Sequence, residues 1–191
     1  MAHAVTTTRP AKCLAGDSLL VVIDVQQRLG DAMPGKVLNR VLKNTGLLAR
    51  TAGLLDLPVL QTEQYPQGLG PTHPSVAEAL PAATTRVEKL TFSCCGAEGF
   101  VDALERRRQV VLVGMEAHVC VLQTALDLAA SDRQVFVVED AVCSRRLENY
   151  QNALDRLRQS GVLVVSAESV VFEWMAAADH PRFKAIQSLL R

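Results

Sequence analysis

The sequence predicts an α/β fold: three layers, α-β-α, around a six-stranded parallel sheet. Three observations predict it. Short apolar, β-branched runs alternate with longer segments at helical spacing along the whole chain. Ser18–Asp24 (SLLVVID) is apolar without a break up to its acid, as a strand covered on both faces must be. No linker, internal repeat or low-complexity tract divides the 191 residues, a length that fits one domain with a sizeable core.

Each element follows from its pattern. Ser18–Asp24 is the first strand. Val37–Leu55 repeats apolar residues at helical spacing and stops between Gly53 and Pro58, where glycine and proline break a helix. Pro58–Thr62 reads as the second strand and Gln64–Pro74 as a Gly/Pro-rich loop. Thr85–Leu90 is a third, charged strand, and Gly99–Arg107 a short helix. Gln109–Gly114 is the fourth strand, followed after five residues by a helix over His118–Ala130. Gln134–Glu139, Leu147–Gln159 and Val162–Ser166 follow as strand, helix and strand, with helical turns over Glu168–Ala177 and Pro181–Leu190. In such a sheet ligands bind beyond the carboxyl ends of the strands, near a switch in strand order. The chemistry is therefore sought just after each strand.

Composition narrows the function class. Twenty basic and twenty acidic residues give a net charge of zero with no basic stripe, so neither nucleic acid nor an anionic membrane surface is an expected partner. No apolar run reaches the length of a membrane span. Residues 1–16 lack a hydrophobic signal core. They carry Arg9, Lys12 and several threonines before the first acid at Asp17, a composition shared with organelle leaders, and are read as a flexible N-terminus before a single domain over 17–191. Five cysteines, Cys13, Cys94, Cys95, Cys120 and Cys143, make an odd set without framework spacing, which predicts a reducing compartment and a cytoplasmic location. Adjacent Cys94 and Cys95 rarely close an unstrained disulfide with each other and no Cys-x-x-Cys is present, so no redox role is read there. Cys143 reads as structural.

Three residues at strand ends could do chemistry together: Asp24 after the first strand, Lys89 near the end of the third, and Cys120 after the fourth. Cys120 opens a helix, where the dipole and free N–H groups favour a thiolate and pull its pKa below the free value of about 8.5. A lysine would favour the thiolate further, and an aspartate could take up the thiol proton. Each has a plainer reading: a buried small hydrophobe, a helix cap, a solvated lysine. Their shared location is the argument. Glu63, Gln64 and Tyr65 open a loop placed to border a pocket, or hold that loop's own turns. His118, two positions before Cys120, reads as packing or capping the helix. Phe92 and Trp174 read as packing residues, with the option of lining the pocket. Arg145 and Arg146, with Glu148 nearby, read as a solvated helix start.

Several segments together resemble the isochorismatase-like cysteine hydrolase family from Ser18 onward. They are Val22-Ile-Asp24-Val-Gln26, the Lys89 segment with Phe92-Ser93, Gly114-Met-Glu-Ala-His-Val-Cys120-Val, Val138-Glu-Asp-Ala141 with Cys143-Ser144, and Phe172-Glu-Trp. Thr62-Glu-Gln-Tyr-Pro-Gln-Gly-Leu-Gly-Pro71 and Glu116-Ala-His-Val-Cys120 are similar to the branch called isochorismatase domain-containing proteins. The resemblance implies a Rossmann-like sheet, a catalytic triad of Asp24, Lys89 and Cys120, and a cis peptide between Met115 and Glu116. It also implies an oxyanion hole from the backbone N–H groups of Glu116 and Cys120, and a pocket bordered by Gln26, Glu63, Gln64, Tyr65, Phe92 and His118.

The resemblance implies a cysteine-dependent hydrolase for a small carbonyl compound, an amide C–N bond being the expected target. Metal-binding relatives carry an Asp-x-His pair after the second strand. Here Glu63-Gln64-Tyr65-Pro66 stands in its place, and His3, His73, His118 and His180 are scattered, so neither a metal nor any other cofactor is expected. The expected partners are a small-molecule substrate and further copies of the chain, with apolar Val170–Ala178 as a candidate contact. Two other readings stand beside this one: hydrolysis of a vinyl ether such as isochorismate, and a catalytically idle binding or scaffold protein on an inherited fold.

Overall fold

A computed structural model describes residues 12–104 and 106–190. The sheet has six strands, all parallel: β1 (Ser18–Ile23), β2 (Val59–Gln64), β3 (Thr85–Lys89), β4 (Gln109–Met115), β5 (Gln134–Cys143) and β6 (Leu163–Val165). Their spatial order is β3-β2-β1-β4-β5-β6. The order reverses between β1 and β4, so the carboxyl ends of these two strands open a crevice. Every residue of β1 and of β4 is buried, because helices cover both faces and leave no polar side to alternate with.

One face carries Leu20, Val22, Val111, Val113 and Phe136 against Val41, Leu48, Val170, Val171, Trp174 and Ile186. These come from α2 (Gly35–Leu54), α8 (Ala167–Met175) and α9 (Phe183–Leu189). The other face carries Leu19, Val21, Ile23, Leu112 and Val137 against Phe100, Leu122, Ala125, Leu128 and Leu157. Those belong to α5 (Phe100–Ala103), α6 (Leu122–Ala130) and α7 (Leu147–Gln159). The C-terminal segment suggested as an inter-subunit contact is thus largely core: Val170, Val171, Trp174 and Met175 are buried, and only its Phe172 is an exposed large hydrophobic.

Three local features differ from the periodicity reading. Gln27–Asp31 forms a short helix, α1, directly after the first strand. The Gly/Pro-rich loop holds the one-turn helices α3 (Pro66–Leu69) and α4 (Pro74–Ala77), each started by a proline whose missing N–H costs nothing in the first turn. The helix expected over His118–Ala130 is two pieces, a π-type turn over Ala117–Val121 and then α6. A periodicity search does not see this, because one wide turn leaves the apolar spacing on either side intact.

Of the expected flexible N-terminus, residues 1–11 lie outside the described residues. Residues 12–16 are held: the Cys13 N–H donates to Glu173 Oε2 at 2.7 Å, the Leu14 N–H to Gln109 Oε1 at 2.7 Å, and Cys13 is fully buried.

Gly114 fixes the junction of β1 and β4. Its φ is +118°, and a Cβ built there would lie 1.9 Å from the Ile23 carbonyl oxygen, inside any tolerable contact. No side chain fits where β4 passes the end of β1. Gly114→Ala is expected to destabilise the fold by more than about 2 kcal/mol, read by urea unfolding. An unchanged midpoint would contradict the close approach.

Candidate active site

The crevice gathers side chains from the ends of four adjacent strands. Asp24 follows β1 with a left-handed backbone (φ 49°), a conformation Asp tolerates better than most residues. Its side chain is fully buried and both oxygens are held: Thr62 Oγ1 donates to Oδ1 at 2.7 Å and Lys89 Nζ to Oδ2 at 2.7 Å. Neither side chain of the Asp24–Lys89 pair is exposed.

Lys89 closes β3 and is surrounded by acceptors. Besides Asp24, its ammonium meets Gln64 Oε1 at 2.6 Å, the Thr91 carbonyl at 3.3 Å and the Phe92 carbonyl at 3.2 Å. Burial alone would lower its pKa. The Asp24 carboxylate, by its charge and its hydrogen bond, outweighs that and holds it above the ordinary value, so Lys89 stays a cation.

Cys120 lies within the π-type turn, 6% exposed. The thiolate expected from its helix position is overturned. Burial pushes the thiol up, the Asp24 carboxylate adds to it, and Lys89 pulls the other way without prevailing, so the pKa reaches about 12. A helix dipole contributes at most about 2 kcal/mol even when partly buried, and here desolvation and the Asp24 anion oppose it. Cys94 is the other thiol coupled to this group: its Sγ donates to Thr62 Oγ1 at 3.8 Å, and burial takes its pKa to about 11.

The remaining residues divide by what they touch. The Gln26 amide clasps the loop, donating to the Gln64 and Gly70 carbonyls at 3.1 and 2.6 Å and accepting from the Gln64 N–H at 2.8 Å. Gln64 also donates to the Leu90 carbonyl at 2.8 Å, tying β2 to the segment after Lys89. Glu63 points away from Thr62, as alternate strand residues do; its Oε1 receives the Thr72 N–H at 2.7 Å and the Thr72 hydroxyl at 2.8 Å, and its Oε2 forms an ion pair with Arg86 at 2.7 Å. Gln26 and Glu63 therefore hold the loop. Tyr65 (φ 37°) and Phe92 are exposed at the rim beside exposed Leu90.

The Met115–Glu116 peptide is cis. The Glu116 carboxylate is held by Arg145, whose backbone N–H donates at 2.9 Å and whose Nε lies 3.1 Å from Oε1 and 3.2 Å from Oε2. His118 bridges Ser144 Oγ (2.9 Å from Nδ1) and Asn149 Nδ2 (3.3 Å from Nε2), so both ring nitrogens are occupied. Thr62 is the contributor that the sequence reading passed over. Its signal was available: pairing β1 with β2 sets Thr62 opposite Ile23, one residue before Asp24. Among the described residues no group of three or more metal-ligating side chains clusters.

Four buried cysteines share the upward shift. Cys94 reaches about 11, Cys120 and Cys143 about 12, and Cys13 shifts in the same direction. Unfolded thiols lose their protons from the ordinary value of 9.0, whereas these folded ones keep theirs. The unfolded state then binds fewer protons, so stability present below pH 9 falls as pH rises towards 12, by about 1.4 kcal/mol per unit per group. Thermal melts from pH 8 to 11 are expected to show a steep loss above about 9. A flat profile would contradict the burial of these thiols.

Known proteins bear the same architecture. The isochorismatase domain model matches residues 18–169. A Bos taurus protein described as isochorismatase domain-containing protein 2 is 38% identical over 187 residues, 96% of this chain and 88% of its own length. The structure of MAR1 ribonuclease from Caenorhabditis elegans superposes with a TM-score of 0.90 at 36% identity, covering 94% of this chain and 92% of that one. The YcaC product of Escherichia coli, described as an octameric hydrolase of unknown specificity, shares the fold at a TM-score of 0.85 and 24% identity, covering 95% of this chain and 91% of that one. With its domain model, its relatives and its parallel sheet in agreement, this chain belongs to the isochorismatase family.

Proposed function

We propose that the protein hydrolyses a small carbonyl compound, cutting an amide C–N bond through a cysteine acyl-enzyme with Asp24, Lys89 and Cys120 as its triad. The observation that carries the reading is the 2.7 Å Asp24–Lys89 ion pair, closed to solvent and coupled electrostatically to the Cys120 thiol. A buried pair of this kind is expensive in desolvation and often no better for stability than apolar packing. Its position at the switch point, facing a thiol, supports a chemical role.

Each group's task follows from its surroundings. With its pKa near 12, Cys120 carries its proton at neutral pH, so attack requires a base at the moment of bonding. Asp24 is that base: it takes the thiol proton as Sγ bonds to the carbonyl carbon. The carbonyl π electrons move to oxygen, where the Glu116 and Cys120 N–H groups stabilise the oxyanion, each donor worth about 3–4 kcal/mol. The oxyanion collapses, the C–N bond breaks, and Asp24 returns the proton to the departing amine. Water then gives a proton to Asp24 and attacks the thioester. The acid leaves, and the proton restores the Cys120 thiol. Lys89, whose N–H groups already face four oxygens, acts as a fixed positive charge beside Asp24 and the forming thiolate.

A cysteine only 6% exposed supports a small substrate. The relative described as a ribonuclease brings RNA into consideration, but 20 basic against 20 acidic residues offer a phosphate backbone little attraction. Exposed Tyr65, Leu90 and Phe92 at the rim support a homo-oligomer.

The test is ammonia or amine release across a panel of small amides and ureido compounds, with an RNA oligonucleotide alongside. Cys120→Ala is expected to lower turnover by about 10³-fold or more while the protein stays folded. Lys89→Met is expected to lose turnover and also about 3–5 kcal/mol of stability, because Asp24 is left buried without its cation. Full turnover in Cys120→Ala, or cleavage of RNA alone, would overturn the reading.

A further inference from the structure

Cys94 is a buried thiol to which the proposed mechanism gives no task, although it lies in the site. Its Sγ–H donates to Thr62 Oγ1 at 3.8 Å, and the Thr62 hydroxyl donates in turn to Asp24 Oδ1 at 2.7 Å. The backbone N–H of the same cysteine donates to Thr124 Oγ1 at 2.9 Å, in α6, about one turn beyond Cys120. Beside it, Ser93 Oγ donates to Asp127 Oδ2 at 2.6 Å, so the segment after β3 is pinned to α6 at both residues. Asp24 closes the circuit, acting on the Cys120 thiol by charge and by hydrogen bond.

Asp24, Thr62, Cys94 and Thr124 are all fully closed to solvent, so no bulk water can replace a missing partner. What each group can give fixes the direction of the bonds. A carboxylate only accepts, so the Thr62 proton lies towards Asp24. The Thr62 oxygen keeps a lone pair for the Cys94 S–H, and burial holds that thiol protonated with a pKa of about 11. Lys89 fills the second oxygen, Oδ2, at 2.7 Å. The terminal torsion of an aspartate is broad when left to itself. With a donor on each oxygen it is fixed, and so is the face that the carboxylate turns to Cys120.

We propose that Thr62 and Cys94 are positioning residues: the chain from Cys94 Sγ–H through the Thr62 hydroxyl to Asp24 Oδ1 ties the base to the helical segment that carries the nucleophile. The inference rests on the Cys120 hydrolase reading and deepens it. Neither residue takes part in making or breaking a bond; they hold Asp24 at the spacing and angle that proton transfer requires. The adjacent cysteines then differ in task, with Cys94 buried inside the chain of bonds and Cys95 half-buried beside it.

The test is the iodoacetamide alkylation rate of Cys120 at pH 7, read by peptide mass spectrometry with Cys95 as internal reference and thermal melts to verify folding. Thr62→Val keeps the shape and loses the hydroxyl, whereas Thr62→Ser keeps the hydroxyl and loses the methyl group. Thr62→Val is expected to slow Cys120 by about tenfold and Thr62→Ser to recover the rate to within about threefold. Cys94→Ala is expected to slow it by about threefold, since an S–H group is the weaker donor. A carboxylate that loses a donor becomes a stronger base, which alone would quicken the reaction, so a slower variant reports lost position. A packing role would reverse the order of the two Thr62 variants. Thr62→Val as fast as the wild type, Thr62→Ser no faster than Thr62→Val, or Cys94→Ala at full speed would overturn the proposal. If wild-type Cys120 does not react, or Asp24→Asn reacts no more slowly, the hydrolase reading falls separately and the infrared S–H band of Cys94 decides the chain. That band, identified by its loss in Cys94→Ala, is expected to rise in frequency in Thr62→Val and to stay in place in Thr62→Ser; an unmoved band in Thr62→Val overturns it.

Discussion

The arrangement at the crevice depends on one buried ion pair. Lys89 and Asp24 meet at 2.7 Å with neither side chain exposed, and each is held by further groups: Thr62 on Asp24, and Gln64 with two backbone carbonyls on Lys89. Removing either charge would leave the other uncompensated in a dry interior, so the pair couples three strand ends into one rigid unit. It also sets the state of Cys120. Burial and Asp24 keep the thiol protonated, while Lys89 limits how far that goes.

The fold delivers these groups by topology. The reversal of strand order puts the ends of β1 and β4 side by side, with β2 and β3 beyond β1. Asp24, Lys89 and Cys120 are far apart in sequence yet converge because each follows or closes a strand of one parallel sheet. Gly114 permits the approach: its bare Cα passes the Ile23 carbonyl directly before Asp24. On the other side, Gln26 and Glu63 clasp the Gly/Pro-rich loop: for Glu63, of its two sequence readings the one that holds the loop's turns applies, and Gln26, offered for a pocket border by the resemblance, does the same work.

Much of this was legible in the chain. Continuous apolar runs such as Ser18–Ile23 state burial on both faces, and their alternation with segments at helical spacing yields the parallel sheet. The grouping of Asp24, Lys89 and Cys120 followed from strand ends, since a parallel sheet aligns them. The ionisation state of Cys120 was not legible. Helix position argues for a thiolate, but desolvation depends on what covers the turn, and spacing does not carry that information. The Arg145–Glu116 contact was hidden for a similar reason: it joins loops after neighbouring strands, and residue type gives no sign that one arginine of a pair is tethered.

The central claim, that Asp24 takes the proton of Cys120, is tested most directly by the iodoacetamide alkylation rate of Cys120 at pH 7 in the wild type and in Asp24→Asn, with circular dichroism to verify folding. Charge alone predicts a faster reaction in the variant, because removing a nearby anion lowers the thiol pKa. Proton transfer to Asp24 predicts the opposite, a loss of about 30-fold or more, since the variant has no base to receive the proton. A slower variant is the result this account predicts. A variant as fast as or faster than the wild type would contradict it.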